Sequence, residues 1–179
     1  MKDAMKDFAE NEGGIYRMAS KWDTSNSYVG RVGSLNDDGT YSPSNSVNLY
    51  ELNEGSEMWS SLKWRLERVE DSINVYRIKN MWANSYLTRT GEQDKYGEWY
   101  PAYGVVLADL HSSWWSQQWV IEHTGEATFK IRCLWGNSND YMTRLGAPDG
   151  VGGYLPTNEI RLQRDENYSS QHWLLYRTL

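Results

Sequence analysis

The residues of this chain best suited to recognition chemistry are aromatic, with ten Trp and thirteen Tyr standing against two Phe. Trp and Tyr join an apolar face to a polar handle, so the same side chain serves a core or lies against the C–H face of a sugar. They recur with acids and amides behind three glycines. Gly33 is followed by Asp37, Asp38, Tyr41 and Asn45; Gly91 by Asp94, Trp99 and Tyr103; Gly146 by Asp149, Tyr154 and Asn158. A flat ring beside groups that pair with hydroxyls is what carbohydrate recognition requires, so these ten residues form the candidate carbohydrate-binding set. The same aspartates, near Gly39, Gly97 and Gly150, also have the composition of tight turns, with the aromatics capping a barrel.

Catalytic chemistry has little to build on. His111, His123 and His172 fall into no nucleophile–base–orienter grouping, and Cys133, the single cysteine, lies in no metal-ligand or redox spacing. We therefore expect a binding module and not an enzyme, with no catalytic residue, metal or cofactor.

The recurrence behind the glycines belongs to a longer repeat. Tyr16-Arg17-Met18 leads to Trp22, Tyr76-Arg77-Ile78 to Trp82, and Phe129-Lys130-Ile131 to Trp135. Next come Tyr28-Val29-Gly30-Arg31, Tyr86-Leu87-Thr88-Arg89 and Tyr141-Met142-Thr143-Arg144, each arginine two residues before its glycine. The aromatics Tyr41, Trp99 and Tyr154 precede Pro43, Pro101 and Pro156, which lie 58 and 55 residues apart. Each copy ends on a tryptophan followed by an aliphatic: Trp64/Leu66, Trp119/Ile121 and Trp173/Leu175. The copies run 13–72, 73–127 and 128–179, with residues 1–12 as an N-terminal arm carrying Met1, Met5 and Phe8 at helical spacing.

Within a copy, apolar and polar residues alternate over short runs bounded by Gly, Pro, Asn and Asp, the pattern of half-buried strands. About four strands fit per copy, so the whole is about twelve strands that must pool their inward faces in one core. A closed threefold barrel satisfies that requirement and leaves few free edges.

The endings Ser116-Gln117-Gln118-Trp119 and Ser170-Gln171-His172-Trp173 resemble the Gln-x-Trp signature of the ricin-B-like β-trefoil lectins, with Leu62-Lys63-Trp64 as a degenerate third. Val75-Tyr76-Arg77-Ile78-Lys79-Asn80 before Ser85-Tyr86-Leu87 resembles the start of that superfamily's repeat. The resemblance covers residues 13–179 and implies an all-β β-trefoil. In the family's galactose sites an Asp follows the "Tyr-Leu" leucine and an Asn precedes the Gln of Gln-x-Trp. Here those positions hold Gly30, Thr88 and Thr143, and Ser61, Ser116 and Ser170, so galactose specificity does not carry over.

Trp64, Trp119 and Trp173 are expected in the core, and Trp22, Trp82 and Trp135 in structural positions near a loop rim. Arg31, Arg89 and Arg144 either clamp an acidic sugar or, as the favoured expectation, pair within the fold. Trp115, matched by Ser60 and Ser169, is expected at the surface.

A formal charge of −6 sets the surface against nucleic acid, and no stretch has the roughly 20 apolar residues of a membrane helix. The N-terminal residues lack the apolar run of a secretory signal, so a cytoplasmic, reducing location is expected, with release by a non-classical route left open. The expected partners are glycans or glycoproteins, bound at up to three weak symmetric sites, with agglutination or defence as the role. Two alternatives stand beside this. One is a β-trefoil protease inhibitor using segment 50–59 or 111–116, and the other is the glycan- or receptor-binding component of a toxin.

Overall fold

The computed structural model describes residues 14–22, 27–52, 59–125 and 127–178. The expected N-terminal arm and most of loop 50–59 lie outside the described residues.

Each copy supplies four strands. The first holds β1 (Ile15–Ser20), β2 (Ser27–Leu35), β3 (Tyr41–Glu51) and β4 (Trp64–Arg68). The second holds β5 (Val75–Asn80), β6 (Tyr86–Gln93), β7 (Trp99–Ala108) and β8 (Trp119–Gly125). The third holds β9 (Thr128–Cys133), β10 (Asp140–Pro148), β11 (Tyr154–Arg164) and β12 (Trp173–Arg177). Antiparallel pairing runs β1–β4–β5–β8–β9–β12 and returns to β1, closing a six-stranded barrel. The hairpins β2–β3, β6–β7 and β10–β11 join it through the pairs Ala19/Tyr28, Lys79/Tyr86 and Arg132/Tyr141. This is the β-trefoil that the repeat predicts.

Period-two alternation aims Tyr16, Met18, Tyr76, Ile78, Phe129 and Ile131 inward. Trp64, Trp119 and Trp173 are fully buried, and each indole N–H donates to a backbone carbonyl of the same copy, at Val29, Leu87 and Met142 (2.8, 2.9 and 2.9 Å). The rings thus fill the core and tie each hairpin to the barrel without an unpaired polar atom. A short 3-10 turn precedes each tryptophan, at Ser60–Leu62, Trp115–Gln117 and Ser169–Gln171.

The recurring Arg, Gly and Pro have one joint explanation. Each hairpin is irregular between its arginine and its glycine, so that three residues after the proline face one residue of the opposite strand. Proline suits this break because it has no N–H to donate. The arginine Nε donates to the carbonyl that the break releases, on Ser44, Ala102 or Thr157 (2.5, 2.6 and 2.6 Å). Arg31 and Arg89 then reach into the next copy, where Nη1 donates to the carbonyls of Trp82 and Trp135 (2.8 and 3.0 Å). Arg31 and Arg89 are inter-copy staples, in line with the structural expectation.

Candidate functional site

At the hairpin tips the acids make turns. Asp38 Oδ1 accepts from the backbone and side chain of Thr40, Asp94 Oδ1 from the amides of Tyr96 and Glu98, and Asp149 Oδ1 from those of Val151 and Gly153. The Thr40 bonds hold the Asp38 carboxyl below its ordinary range, and the Val151 and Gly153 amides do the same for Asp149. Gly39, Gly97 and Gly150 close these turns with φ near +81, +85 and +81°. The hydrogen-bond pattern makes Asn36, not Asp37 or Asp38, the first-copy counterpart of Asp94 and Asp149. Asp37 lies exposed at the tip.

Tyr41, Trp99 and Tyr154 occupy equivalent places and are 64, 63 and 65% exposed. Each stands beside its hairpin glycine, and the glycine's other neighbour is a tryptophan from a different copy. A Cβ on Gly33, Gly91 or Gly146 would meet Trp82, Trp135 or Trp22 at 2.9, 2.7 and 2.5 Å. Glycine is required there for close approach, and the result is a notch at each seam with a ring on either side. Asn45 accepts from Arg31 Nη2 (3.3 Å), and Tyr103 lies under the Arg89 guanidinium, 5.9 Å from its ring centre. Asn158 is exposed on β11. The structure thus brings Tyr41, Trp99 and Tyr154 to seams but scatters the acids and amides over the turns and strand edges.

The seam between the first and second copies opens into a groove of about 520 Å³. Its walls are Tyr41, Tyr50, Trp59 and Trp82, over Gly33. Ser60 and Ser61 supply hydroxyls, and Arg31 borders it with most of its donors already engaged. Burial lowers the Arg31 pKa, opposed by the charge of Asp109.

The lining of this groove differs from the equivalent places in the other copies for a local reason. In the second copy, Gln117 is fully buried; its amide donates to the Thr88 hydroxyl (3.1 Å) and the Asp109 carbonyl (2.7 Å), and its carbonyl accepts from the His111 amide (2.8 Å). Gln171 repeats this with Thr143, Arg164 and Glu166. In the first copy Gly30 and Leu62 replace that polar pair, and Tyr50 packs over Gly30, where a Cβ would come within 2.8 Å of its ring. The missing Gln of the degenerate motif therefore has a structural consequence, namely an aromatic at Tyr50 where the other copies carry Ala108 and Gln163. Tyr50 is a groove residue that sequence reasoning missed; the joint loss of the Thr–Gln pair was the available signal. Trp82, expected in a structural position, also lines the groove.

Among the described residues, no His, Cys, Asp or Glu cluster fits a metal ion. Cys133 is buried, its sulfur 3.6 Å from the carbonyls of Trp115 and Ser116, and burial pushes its pKa up to about 12, so the thiolate is suppressed. No helix is long and apolar enough to cross a membrane.

No protein-family model matches the sequence, and no curated protein matches it. Solved structures do. A mosquitocidal holotoxin aligns over 94% of this chain at 21% identity with a TM-score of 0.66. This chain spans only 18% of that toxin's length. A ricin B-like lectin from Macrolepiota procera, solved with lactose, matches 94% of this chain and 98% of its own at 15% identity and a TM-score of 0.59. A designed threefold-symmetric protein matches 91% of this chain and 98% of its own, with 14% identity and a TM-score of 0.58. The chain has the β-trefoil fold, which it shares with the lectin from Macrolepiota procera and the designed threefold-symmetric protein.

Proposed function

We propose that this chain is a carbohydrate-binding module without catalytic activity, and that its principal site is the groove between the first and second copies. The observation that carries this reading is the set of four aromatic side chains, Tyr41, Tyr50, Trp59 and Trp82, around one glycine floor, with serine hydroxyls at the edge. Such a surface stacks on the C–H faces of sugar rings and leaves their hydroxyls to Ser60, Ser61 and water. The fold supports the reading, since the lectin solved with lactose shares it. Shallow aromatic sites bind weakly, so glycan-bearing surfaces would be held through the Trp99 and Tyr154 notches as secondary contacts.

A second reading is favoured by one observation. Trp115 is 62% exposed beside Trp114 at 44%, at a place that Ser60 and Ser169 fill in the other copies, as the distinctive residue of an inserting inhibitor loop or a toxin's partner-binding loop would be. A glycan-array screen separates the readings. The wild type is compared with Tyr50→Ala/Trp59→Ala and with the Tyr41, Trp99 and Tyr154 triple alanine variant. Glycan binding by the wild type, lost on the array by a folded Tyr50/Trp59 variant, is expected. A wild type that binds no glycan but inhibits a protease through Trp115 would replace the lectin reading.

A further inference from the structure

The outer wall of the barrel carries a concentration of positive charge that the groove does not use. Pairing of β1, β4 and β5 sets Ile15 opposite Arg65, Arg65 opposite Lys79, and Glu67 opposite Arg77; Arg17 lies two residues beyond Ile15 on the same face. Arg17, Arg65, Arg77 and Lys79 thus share one face with a single carboxylate, Glu67. Like charges directly opposite each other on adjacent strands are destabilising, and Arg65 with Lys79 is such a pair. In the second copy the equivalent positions hold Val120 and Arg132, and in the third Leu174 and Ala19.

Neutralisation also differs between the walls. On β8 and β9, Arg132 meets Glu122 at 2.7 Å and Lys130 meets Asp165 at 2.6 Å. On the basic wall Lys79 is 3.9 Å from Glu67, which accepts a bond from the Tyr86 hydroxyl at 3.0 Å. Arg17 and Arg65 make no ion pair among the described residues, and the Arg77 Nη2 donates to the Ser112 carbonyl at 2.8 Å. The buried side-chain polar atoms without a partner among the described residues are Nε of Arg17, Arg65 and Arg77, all on this wall. Arg17 lies over the Tyr28 ring at 5.6 Å and Lys79 over the Tyr86 ring at 5.7 Å, and because the Nε atoms are closed to solvent, an external anion would be met by the guanidinium Nη groups and the Lys79 Nζ.

We propose that this wall binds an acidic polysaccharide, with sulfate or carboxylate groups seated along Arg17, Arg65, Lys79 and Arg77. Three adjacent strands span roughly 10 Å, so a linear polyanion laid across them meets successive cations, whereas one small anion reaches one or two. The wall is convex, so a flexible chain follows it and a flat bilayer touches only its crest. Net charge elsewhere does not cancel the attraction, because screening limits it to about 8 Å in physiological salt. The site is separate from the aromatic groove and does not depend on the groove's ligand.

Retention of the whole chain on immobilised heparin, followed across a salt gradient, tests the proposal. Wild type should bind, and Arg65→Glu and Lys79→Glu should each weaken binding on the order of tenfold, the scale of one charge-assisted hydrogen bond. Arg65→Glu sets a carboxylate opposite Lys79, so its melting temperature should hold or rise, which separates lost binding from lost folding. Arg161→Glu, an exposed charge reversal on β11, should leave retention unchanged, and so should Tyr50→Ala/Trp59→Ala even where neutral-glycan binding is gone. The proposal is overturned by a wild type that passes through at low salt, or by equal loss in Arg161→Glu. It is also overturned if phosphatidylserine vesicles or duplex DNA, and not heparin, bind through Arg65.

Discussion

Gln117 shows how one buried side chain sets the packing beneath a copy's hairpin. Its amide satisfies the Thr88 hydroxyl, the Asp109 carbonyl and the His111 amide while itself fully buried. Gln117→Ala strands the Asp109 carbonyl and the His111 amide, while the Thr88 hydroxyl keeps its bond to the Tyr86 carbonyl, and should cost about 2–4 kcal/mol in urea unfolding. The first copy meets the same space with Gly30 and Leu62, in contact by shape alone. A Thr88→Gly/Gln117→Leu double variant should therefore recover part of that loss. Strict additivity of the two single changes would show that they are not a unit. The exposed rings follow a different logic: Tyr41, Trp99 and Tyr154 protrude from the fold, so their replacement should change binding more than stability.

At the scale of the elements, the arginine staples hold neighbouring copies together, with unequal partners. Arg89 Nη2 meets Asp140 at 2.8 Å, with the two side chains 1 and 8% exposed. Arg31 finds the Ser85 hydroxyl in the equivalent place, at 3.0 Å. Arg89→Met leaves a buried carboxylate without its cation and should cost about 3–5 kcal/mol. Arg31→Met strands only neutral acceptors and should cost roughly 1–3 kcal/mol. Chemical denaturation of the two variants gives the order directly, and Asp140→Asn should restore part of the Arg89→Met loss. Equal losses would mean that the hairpin break, and not the ion pair, dominates. The arginines at 31, 89 and 144 are legible as a repeat, but their targets are not, because the carbonyls of Trp82 and Trp135 lie in other copies.

For the whole molecule, no copy has a core of its own. Trp64, Trp119 and Trp173 are each fully buried in one cluster with residues of all three copies. Unfolding should therefore be a single transition, with tryptophan fluorescence and far-UV circular dichroism coinciding in denaturant. Two separated transitions would mean that a copy holds structure alone. The charge pattern is also a property of the whole: a chain of net charge −6 segregates Arg17, Arg65, Arg77 and Lys79 on one wall, visible only once barrel pairing places residues 17, 65 and 79 side by side.

By itself the sequence determined the threefold repeat with its recurring glycines and prolines, the all-β class and the buried Gln-x-Trp tryptophans, because these are encoded by local spacing and alternation within a single copy. Tertiary structure alone decided the groove and the basic wall. Gly33 and Tyr41 meet Trp82 across a seam, and Tyr50 gains its place because Gly30 and Leu62, far apart in the chain, stand where the other copies carry the Thr–Gln pair. The candidate aspartates failed to gather for a related reason. Hydrogen bonds to nearby amides, at little entropic cost, claimed Asp94 and Asp149 for turns before any site was assembled.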